Sequence, residues 1–325
     1  MDRKLRYTLS TLATVSVLLT LSCRPRGAEA LPAEPTATQM PAALKRFTPT
    51  LPPTQLSEEQ KLRYALDHYW DNFDFSDTTF IATTDFQQIL TAYAIYVGGY
   101  LPDSLAHPVM SQLMQKASTS KPMFEYFLKL ADIVLHHQDS HMRNDEKYIP
   151  VLEAAMASPL LDEYAKMRHA FDLEMALKNR VGRMAQDFSY TLPSGATRRL
   201  YSVNADYILV FFGDPDCPMC RGIREKIVAS PTLTELLAQG RLKIIAVYPD
   251  EDLAMWRNHL ADYPDTWINS YDKDMALTKN RTYDLRAIPS LYLLDSQKRV
   301  VLKDCTNVER IEQALAMAKA ASPDA

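Results

Sequence analysis

Residues 207–220 read YILVFFGDPDCPMC. The run Tyr207–Phe212 is continuously apolar, which is typical of a strand that is buried on both faces of a parallel sheet. A short loop follows, and Cys217 then precedes Pro218, a residue that favours the first turn of a helix. The stretch therefore predicts a buried strand that leads through a tight loop into a helix, with Cys217 at the helix N-terminus.

The two cysteines of this stretch predict a redox centre. Free amides and the helix dipole at a helix N-terminus stabilise a cysteine thiolate, which is the nucleophilic form. Cys220 lies one turn further along, close enough to form a disulfide with Cys217. We expect Cys217 to attack a disulfide and Cys220 to resolve the mixed disulfide that results. A metal site is disfavoured because the sequence contains no second CxxC pair that would complete the ligand set.

The pattern on either side of this stretch predicts a mixed α/β fold. Further strands are predicted at 187–192, near 199–202, and at 242–248, 291–294 and 300–302. Helices are predicted at 218–228, 252–263, 275–282 and 308–318. Strands that alternate with helices are typical of an α/β layer fold with mixed strand directions.

The preceding region shows helical periodicity and no strand pattern. Ser57 and Gln60 fit a capping box at its start. Helices are predicted at 86–97, where Gly98-Gly99 would stop the helix, and at 104–116, 122–136, 145–156 and 160–178. We therefore predict an all-helical domain at 57–180, followed by the α/β domain at 181–325.

The first 22 residues are typical of a secretory signal, since three basic residues precede a short apolar run. The cysteine after it, Cys23, resembles the lipidated cysteine of bacterial lipoproteins. An uncleaved signal anchor with an incidental cysteine is the alternative. Residues 23–56 are rich in proline, which disfavours regular structure and favours an extended tether. We expect a protein on the periplasmic side of the cell envelope, held to the membrane by lipid.

The lipid anchor gives a testable expectation. Cys23 should be the N-terminal residue of the mature protein and should carry acyl chains, because the signal pattern ends at Ser22. The intact mass of protein purified from the membrane fraction measures both features. A mature form that begins elsewhere and lacks added acyl mass would rule out the anchor.

Composition limits the classes of partner. The chain has 325 residues and a formal net charge of −4. Binding to nucleic acid requires a concentrated basic face, and the sequence contains no such stretch. We expect no nucleic acid partner and no cofactor.

Ile288-Pro289, immediately before the predicted strand at 291–294, carries a family resemblance. With the CPMC pair it resembles the thioredoxin superfamily, in which a cis-proline faces the CxxC and helps to bind the peptide substrate. The separation of 72 residues between Cys217 and Pro289 (289 − 217) is similar to that of membrane-anchored TlpA/ResA-type proteins. The resemblance covers roughly residues 180–320. It implies a thioredoxin-like fold and substrate contacts from Pro218, Met219, Ile288 and Pro289.

The helical half resembles a domain of unknown function that precedes thioredoxin-like domains in bacterial secreted lipoproteins. The residues that carry this resemblance are Met142-Arg143-Asn144, the run 148–153, Asn179 and Gly182. The resemblance implies no chemistry of its own for this half.

The sequence differs from the proteins it resembles at the residue that would accept the proton of the second cysteine, Cys220. Phe211 stands where plain thioredoxin has a buried acid, and Ile223 stands where many TlpA/ResA relatives have glutamate. The remaining acceptors are Asp214, Asp216 and the acidic loop 250–252. An acidic loop at this place is also explained as a solvated helix start, because acids favour first turns.

These patterns predict an exported thiol–disulfide oxidoreductase. The dipeptide Pro218-Met219 supplies no cation or imidazole to stabilise the thiolate, which favours a reductase-like potential. Its partners would be exported protein thiols and disulfides and an unidentified membrane electron donor. The alternative is a non-catalytic binding module in which the thioredoxin scaffold is a platform and the helical domain recognises a partner. Cys305 is predicted to be a packing residue, and the histidines at 136, 137 and 141 are predicted to be a solvated helix end.

Overall fold

The computed structural model describes residues 45–138 and 140–321. The predicted signal at 1–22, the lipidation site Cys23 and the first part of the predicted tether lie outside these residues. Within the described ranges, no helix is both long and apolar enough to cross a membrane.

The N-terminal half is helical, as predicted. Its helices are α1 (Glu58–His68), α2 (Thr78–Thr83), α3 (Phe86–Ile95), α4 (Ala106–Ala117), α5 (Lys121–Ala131), α6 (Asp145–Ala157) and α7 (Glu163–Leu177). The capping box is confirmed, because the Ser57 side chain accepts from the Gln60 amide and the Gln60 side chain accepts from the Ser57 amide. The short helix α2 was not predicted.

The predicted stop at Gly98-Gly99 is wrong. After α3 the chain continues as a π-helical turn over Tyr96–Tyr100, which includes both glycines. The Met142 side chain lies so close to Gly98 that a Cβ atom there would collide with it. The glycine therefore allows close packing inside a continuing helix rather than ending it.

The end of the predicted tether is part of the folded protein. The Phe47 ring is buried and stacks on the Trp70 ring, with centroids 5.1 Å apart. The backbone amide of Thr50 donates to the carbonyl of Tyr69 at 3.2 Å. The tether predicted at 23–56 is therefore not free of the fold throughout, because Phe47 and Thr50 attach part of it to the helical core.

The C-terminal half contains a mixed sheet with helices on both faces. The strands are β1 (Ser189–Thr191), β2 (Thr197–Arg199), β3 (Tyr207–Phe212), β4 (Leu242–Tyr248), β5 (Ile268–Tyr271), β6 (Ser290–Asp295) and β7 (Val300–Leu302). Their order across the sheet is β2-β1-β5-β4-β3-β6-β7. The helices are α8 (Pro218–Ala229), α9 (Pro231–Ala238), α10 (Leu253–Asn258), α11 (Ala276–Lys279) and α12 (Val308–Ala321). Strand β5 and helix α9 were not predicted, and the strand predicted near 199–202 ends at Arg199, where a 3₁₀ turn begins.

Strand β3 lies inside the sheet, between β4 and β6, and positions the CPMC loop. It pairs in parallel with β4 and antiparallel with β6. Its side chains alternate between two buried clusters, with Leu209 and Phe211 on one face and Val210 and Phe212 on the other. Because both faces are covered, every residue of the strand after Tyr207 is buried, which explains the continuous apolar run.

Candidate redox site

Cys217 is the N-cap residue of α8, as the sequence predicts. Its sulfur accepts a hydrogen bond from the Cys220 amide at 3.4 Å, and its own amide donates to the Asp214 carbonyl at 3.2 Å. Pro218 occupies the first turn, where a missing N–H costs no intrahelical bond. The sulfur of Cys217 therefore lies at the N-terminus of α8 and accepts from an amide of its first turn.

The two cysteines differ in exposure. Cys217 is partly exposed, whereas Cys220 is buried at 2% exposure, and both thiols are free. Burial raises the pKa of Cys220 to about 12, and the hydrogen bond with Cys217 adds to this increase. A backbone hydrogen bond from Asp214 partly opposes it. Only Cys217 can therefore meet an incoming disulfide directly, and Cys220 keeps its proton until a neighbour removes it.

The Ile288–Pro289 peptide bond is cis, as the resemblance implies. Phe212 at the end of β3 pairs with Ser290 at the start of β6, so this register places Pro289 beside Gly213, where the CPMC loop begins. Ile288 and Cys217 also pack against the same buried cluster. The structure thus brings the proline loop and the cysteine pair together at one edge of the sheet.

The other two predicted contact residues form an open rim. Pro218 is exposed, and the Met219 side chain is 60% exposed. Pro289 is buried and Ile288 is half-buried. A polypeptide approaching Cys217 would meet Met219 first, so the substrate-binding role of these four residues stays a prediction consistent with the geometry.

The two nearest acidic residues, Asp214 and Asp216, have different neighbours. The Asp214 carboxylate accepts the Asp216 amide at 2.7 Å, and its charge acts on the Cys220 thiol. The Asp216 carboxylate instead lies 3.1 Å from Nε2 of His259 and is 62% exposed. Asp214 is therefore the better-placed proton acceptor of the two.

The acidic loop after β4 lies on the expected edge of the sheet, because β4 is parallel to β3. Asp252 accepts the Met255 amide at 2.9 Å as the N-cap of α10, and Asp250 accepts the Glu251 amide at 2.8 Å. These bonds agree with the helix-start interpretation of the loop.

Two neighbours of the site were not predicted. His259 contacts Asp262 at 2.8 Å through Nδ1 as well as Asp216 through Nε2. Tyr263 lies under the guanidinium of the buried Arg224, 4.6 Å from the ring centre. Burial raises the pKa of Tyr263 to about 12.

The third cysteine of the described residues, Cys305, and the histidine His136 pack against other side chains. Cys305 is buried in the same cluster as Cys220, and burial raises its pKa. The prediction of a solvated helix end is wrong for His136, because its ring stacks on Tyr148 at 4.9 Å and burial lowers its pKa. Among the residues that the structure describes, no group of three or more His, Cys, Asp or Glu could hold a metal ion.

Two family models match the chain. The model described as thioredoxin-like matches residues 204–300, a range that includes both cysteines of the CPMC and Pro289. The model described as a domain of unknown function (DUF5106) matches residues 22–179, which includes the helical half. Comparison with curated proteins returned no match.

Solved structures extend the likeness over most of the chain. A thioredoxin-like protein from Bacteroides caccae is 39% identical, with a TM-score of 0.79, over 85% of this chain and 99% of that one. The C-terminal domain of an uncharacterized protein from Bacteroides fragilis is 43% identical, with a TM-score of 0.41, over 42% of this chain and 98% of that one. The thioredoxin domain of a thiol-disulfide oxidoreductase from Bacteroides vulgatus is 19% identical, with a TM-score of 0.37, over 43% of this chain and 96% of that one.

The first of these structures covers both halves at an identity that establishes kinship, and the thioredoxin-like model covers the sheet with its cysteine pair. The chain therefore belongs to the thioredoxin-like proteins and joins a thioredoxin-like domain to a preceding helical domain of unknown function.

Proposed function

We propose that this protein is an exported thiol–disulfide oxidoreductase that reduces disulfides of exported proteins through Cys217 and Cys220. The observation that carries the proposal is the pair's geometry. A partly exposed Cys217 lies at the N-terminus of α8, above a buried Cys220 and beside the Ile288–Pro289 loop. This arrangement presents one nucleophile to a substrate and keeps the second in reserve.

The reaction takes two steps. The Cys217 thiolate attacks one sulfur of the substrate disulfide, forms a mixed disulfide and releases the other sulfur as a thiolate. Cys220 then loses its proton and attacks the Cys217 sulfur, which forms the Cys217–Cys220 disulfide and releases the second substrate thiolate. The substrate gains two electrons and its two thiolates take up two protons, while the protein's two thiols become a disulfide.

We propose that the Asp214 carboxylate accepts the proton that Cys220 loses. The charge of the Asp214 carboxylate already acts on the Cys220 thiol, whereas Asp216 pairs with His259. Pro218, Met219, Ile288 and Pro289 would contact the substrate polypeptide around the mixed disulfide. The lipid at Cys23 would hold the protein on the periplasmic side of the membrane, where a membrane donor would return it to the dithiol form.

The redox potential tests the direction of the reaction. We expect a value nearer to that of thioredoxin, about −270 mV, than to that of the strong oxidase DsbA, about −120 mV. The reason is that burial favours the protonated thiol of Cys220 and Pro218-Met219 adds no cation. Because Cys220 keeps a proton up to a pKa of about 12, the potential should become more negative by at least about 30 mV per pH unit near neutrality.

Equilibration with dithiothreitol or glutathione buffers, read by the alkylation state of Cys217, measures the potential at several pH values. A potential above about −180 mV, the value for protein disulfide isomerase, would make the protein an oxidase or isomerase. Insulin reduction in the same preparations separates the enzyme from the binding module, which would form the disulfide but not turn over.

A further inference from the structure

Arg286 connects the proline loop to the helical half. Within its own loop, the Arg286 guanidinium donates to both oxygens of Asp284, at 2.9 and 2.7 Å. Its remaining nitrogen, Nη1, donates to the Asp172 carboxylate of α7 at 2.7 Å. Arg286 lies two residues before Ile288, so this ion pair acts close to the cis-proline.

The helical half supplies a fixed partner for this guanidinium. The Asp172 side chain has no exposed surface, and Arg168 and His136 lie 3.5 and 3.6 Å from its carboxylate. The neighbouring Phe171 places its ring centre 4.3 Å from the guanidinium carbon of Arg286. A planar guanidinium that is bonded along its edges and stacked on its face is fixed in orientation as well as in position.

Helix α7 is itself held against the α/β half. The Lys303 ammonium donates to the last carbonyls of the helix, those of Met175 and Ala176, and to the carbonyl of Lys178, at 2.7 to 3.1 Å. The Asn179 side chain donates to the Thr282 carbonyl at 2.9 Å. Asp172 therefore belongs to a fixed support.

Arg286 and Ala287 are exposed, whereas Leu285 before them and Ile288 after them pack against the buried clusters of the sheet. Ala287, between Arg286 and Ile288, borders a polar cleft of about 270 Å³ that lies between the two halves. His136, Arg143 and Asp304 also line the cleft. Within this exposed pair of residues, the contact to α7 is the directional polar bond of Arg286 to Asp172.

We propose that Asp172 and Arg286 are positioning residues for the Ile288–Pro289 loop, through which the helical domain sets the binding of protein disulfides. The inference rests on the proposed function and gives the helical domain a part in it. It concerns polypeptide substrates, since a small disulfide can reach Cys217 without lying along the proline loop.

Asp172→Asn is the test variant and Glu146→Gln is its matched control. Glu146 also forms a partly buried ion pair, with Arg180, but this pair includes neither the proline loop nor Lys303, which holds α7. Initial rates are measured with insulin and with 2-hydroxyethyl disulfide. We expect Asp172→Asn to raise KM for insulin about tenfold and to leave the rate with the small disulfide within twofold of the unaltered protein. The control should change neither value, and equal losses on both substrates would overturn the proposal.

Hydrogen exchange of the loop gives a readout that does not depend on activity. Backbone amides in 284–292 should exchange faster in Asp172→Asn and not in Glu146→Gln. Unchanged exchange in the first variant contradicts the positioning role, whether or not the protein reduces disulfides. A protein that reduces neither substrate, yet shows the faster exchange, overturns the proposed function alone. If Asp172→Asn does not fold by circular dichroism, Arg286→Lys replaces it, because lysine keeps the charge but cannot bond both carboxylates in the same geometry.

Discussion

The substitution Cys217→Ser is expected to lower the rate of insulin reduction by at least about a thousandfold, down to the background of the assay. A serine hydroxyl is not ionised at neutral pH, so it cannot replace the thiolate that attacks the disulfide. The variant should fold normally, because residue 217 is partly exposed and serine is itself a preferred N-cap residue. Turnover by dithiothreitol-coupled insulin precipitation and urea unfolding of the same sample measure the two effects.

The other two cysteines provide the controls. Cys220→Ser should attack substrate but lack the resolving thiol, so it should accumulate a mixed disulfide that is visible by intact mass. Cys305→Ser should keep its activity, since Cys305 is a buried packing residue with no contact to the pair beyond the shared cluster. Activity that survives in Cys217→Ser, or that depends on Cys305, would contradict the assignment of roles.

Local patterns predicted the elements whose burial is simple. Strands β4 and β7 begin and end where their apolar runs do, and α8 begins at Pro218 as its proline indicates. Both signals are local. Strand β4 is covered on both faces and is therefore mostly apolar, and proline at a first turn has no donor to lose. The cysteine pair and the acidic loop lie at the same edge of the sheet, because β3 and β4 are parallel and the two loops follow their carboxyl ends.

Elements that depend on distant partners were missed. Strand β5 reads INSY, and half of it is polar, so no apolar pattern marks it. Its Ser270 is nevertheless buried, since the hydroxyl donates to the Ala246 carbonyl of β4 at 2.9 Å. Phe47 was taken as part of a tether because prolines surround it, and its burial is explained by three rings more than 20 residues later, those of Tyr69, Trp70 and Phe73.

The site shows the same division. The cysteines and Pro289 carry a strong local signal, whereas Asp214 and Asp216 could not be separated by sequence. The turn between them distinguishes the two as proton acceptors. The Asp214 carboxylate accepts the Asp216 amide, and the Asp216 carboxylate pairs with His259. The contact of Asp172 with Arg286 spans 114 residues of chain, and no local pattern predicts such a pair.

Alkylation should distinguish the three thiols of the reduced, folded protein. Cys220 is 2% exposed and burial raises its pKa to about 12, so roughly one Cys220 thiol in ten thousand is ionised at pH 8. Cys305 is 7% exposed and burial raises its pKa as well. Since the thiolate is the reactive form, iodoacetamide should modify Cys217 at least about a hundredfold faster than either of the others.

Quenched time points followed by peptide mass mapping measure the three rates. Urea should remove the difference, because unfolding exposes all three sulfurs. Raising the pH should also narrow the gap between Cys217 and Cys220, as more Cys220 becomes ionised on approach to its pKa. In Cys217→Ser, Cys220 should remain slow, since burial rather than the hydrogen bond with Cys217 is the larger cause of its raised pKa. If Cys220 reacted in the folded protein as fast as Cys217, it would be neither shielded nor protonated, and the order of attack proposed for the two cysteines would lose its physical basis.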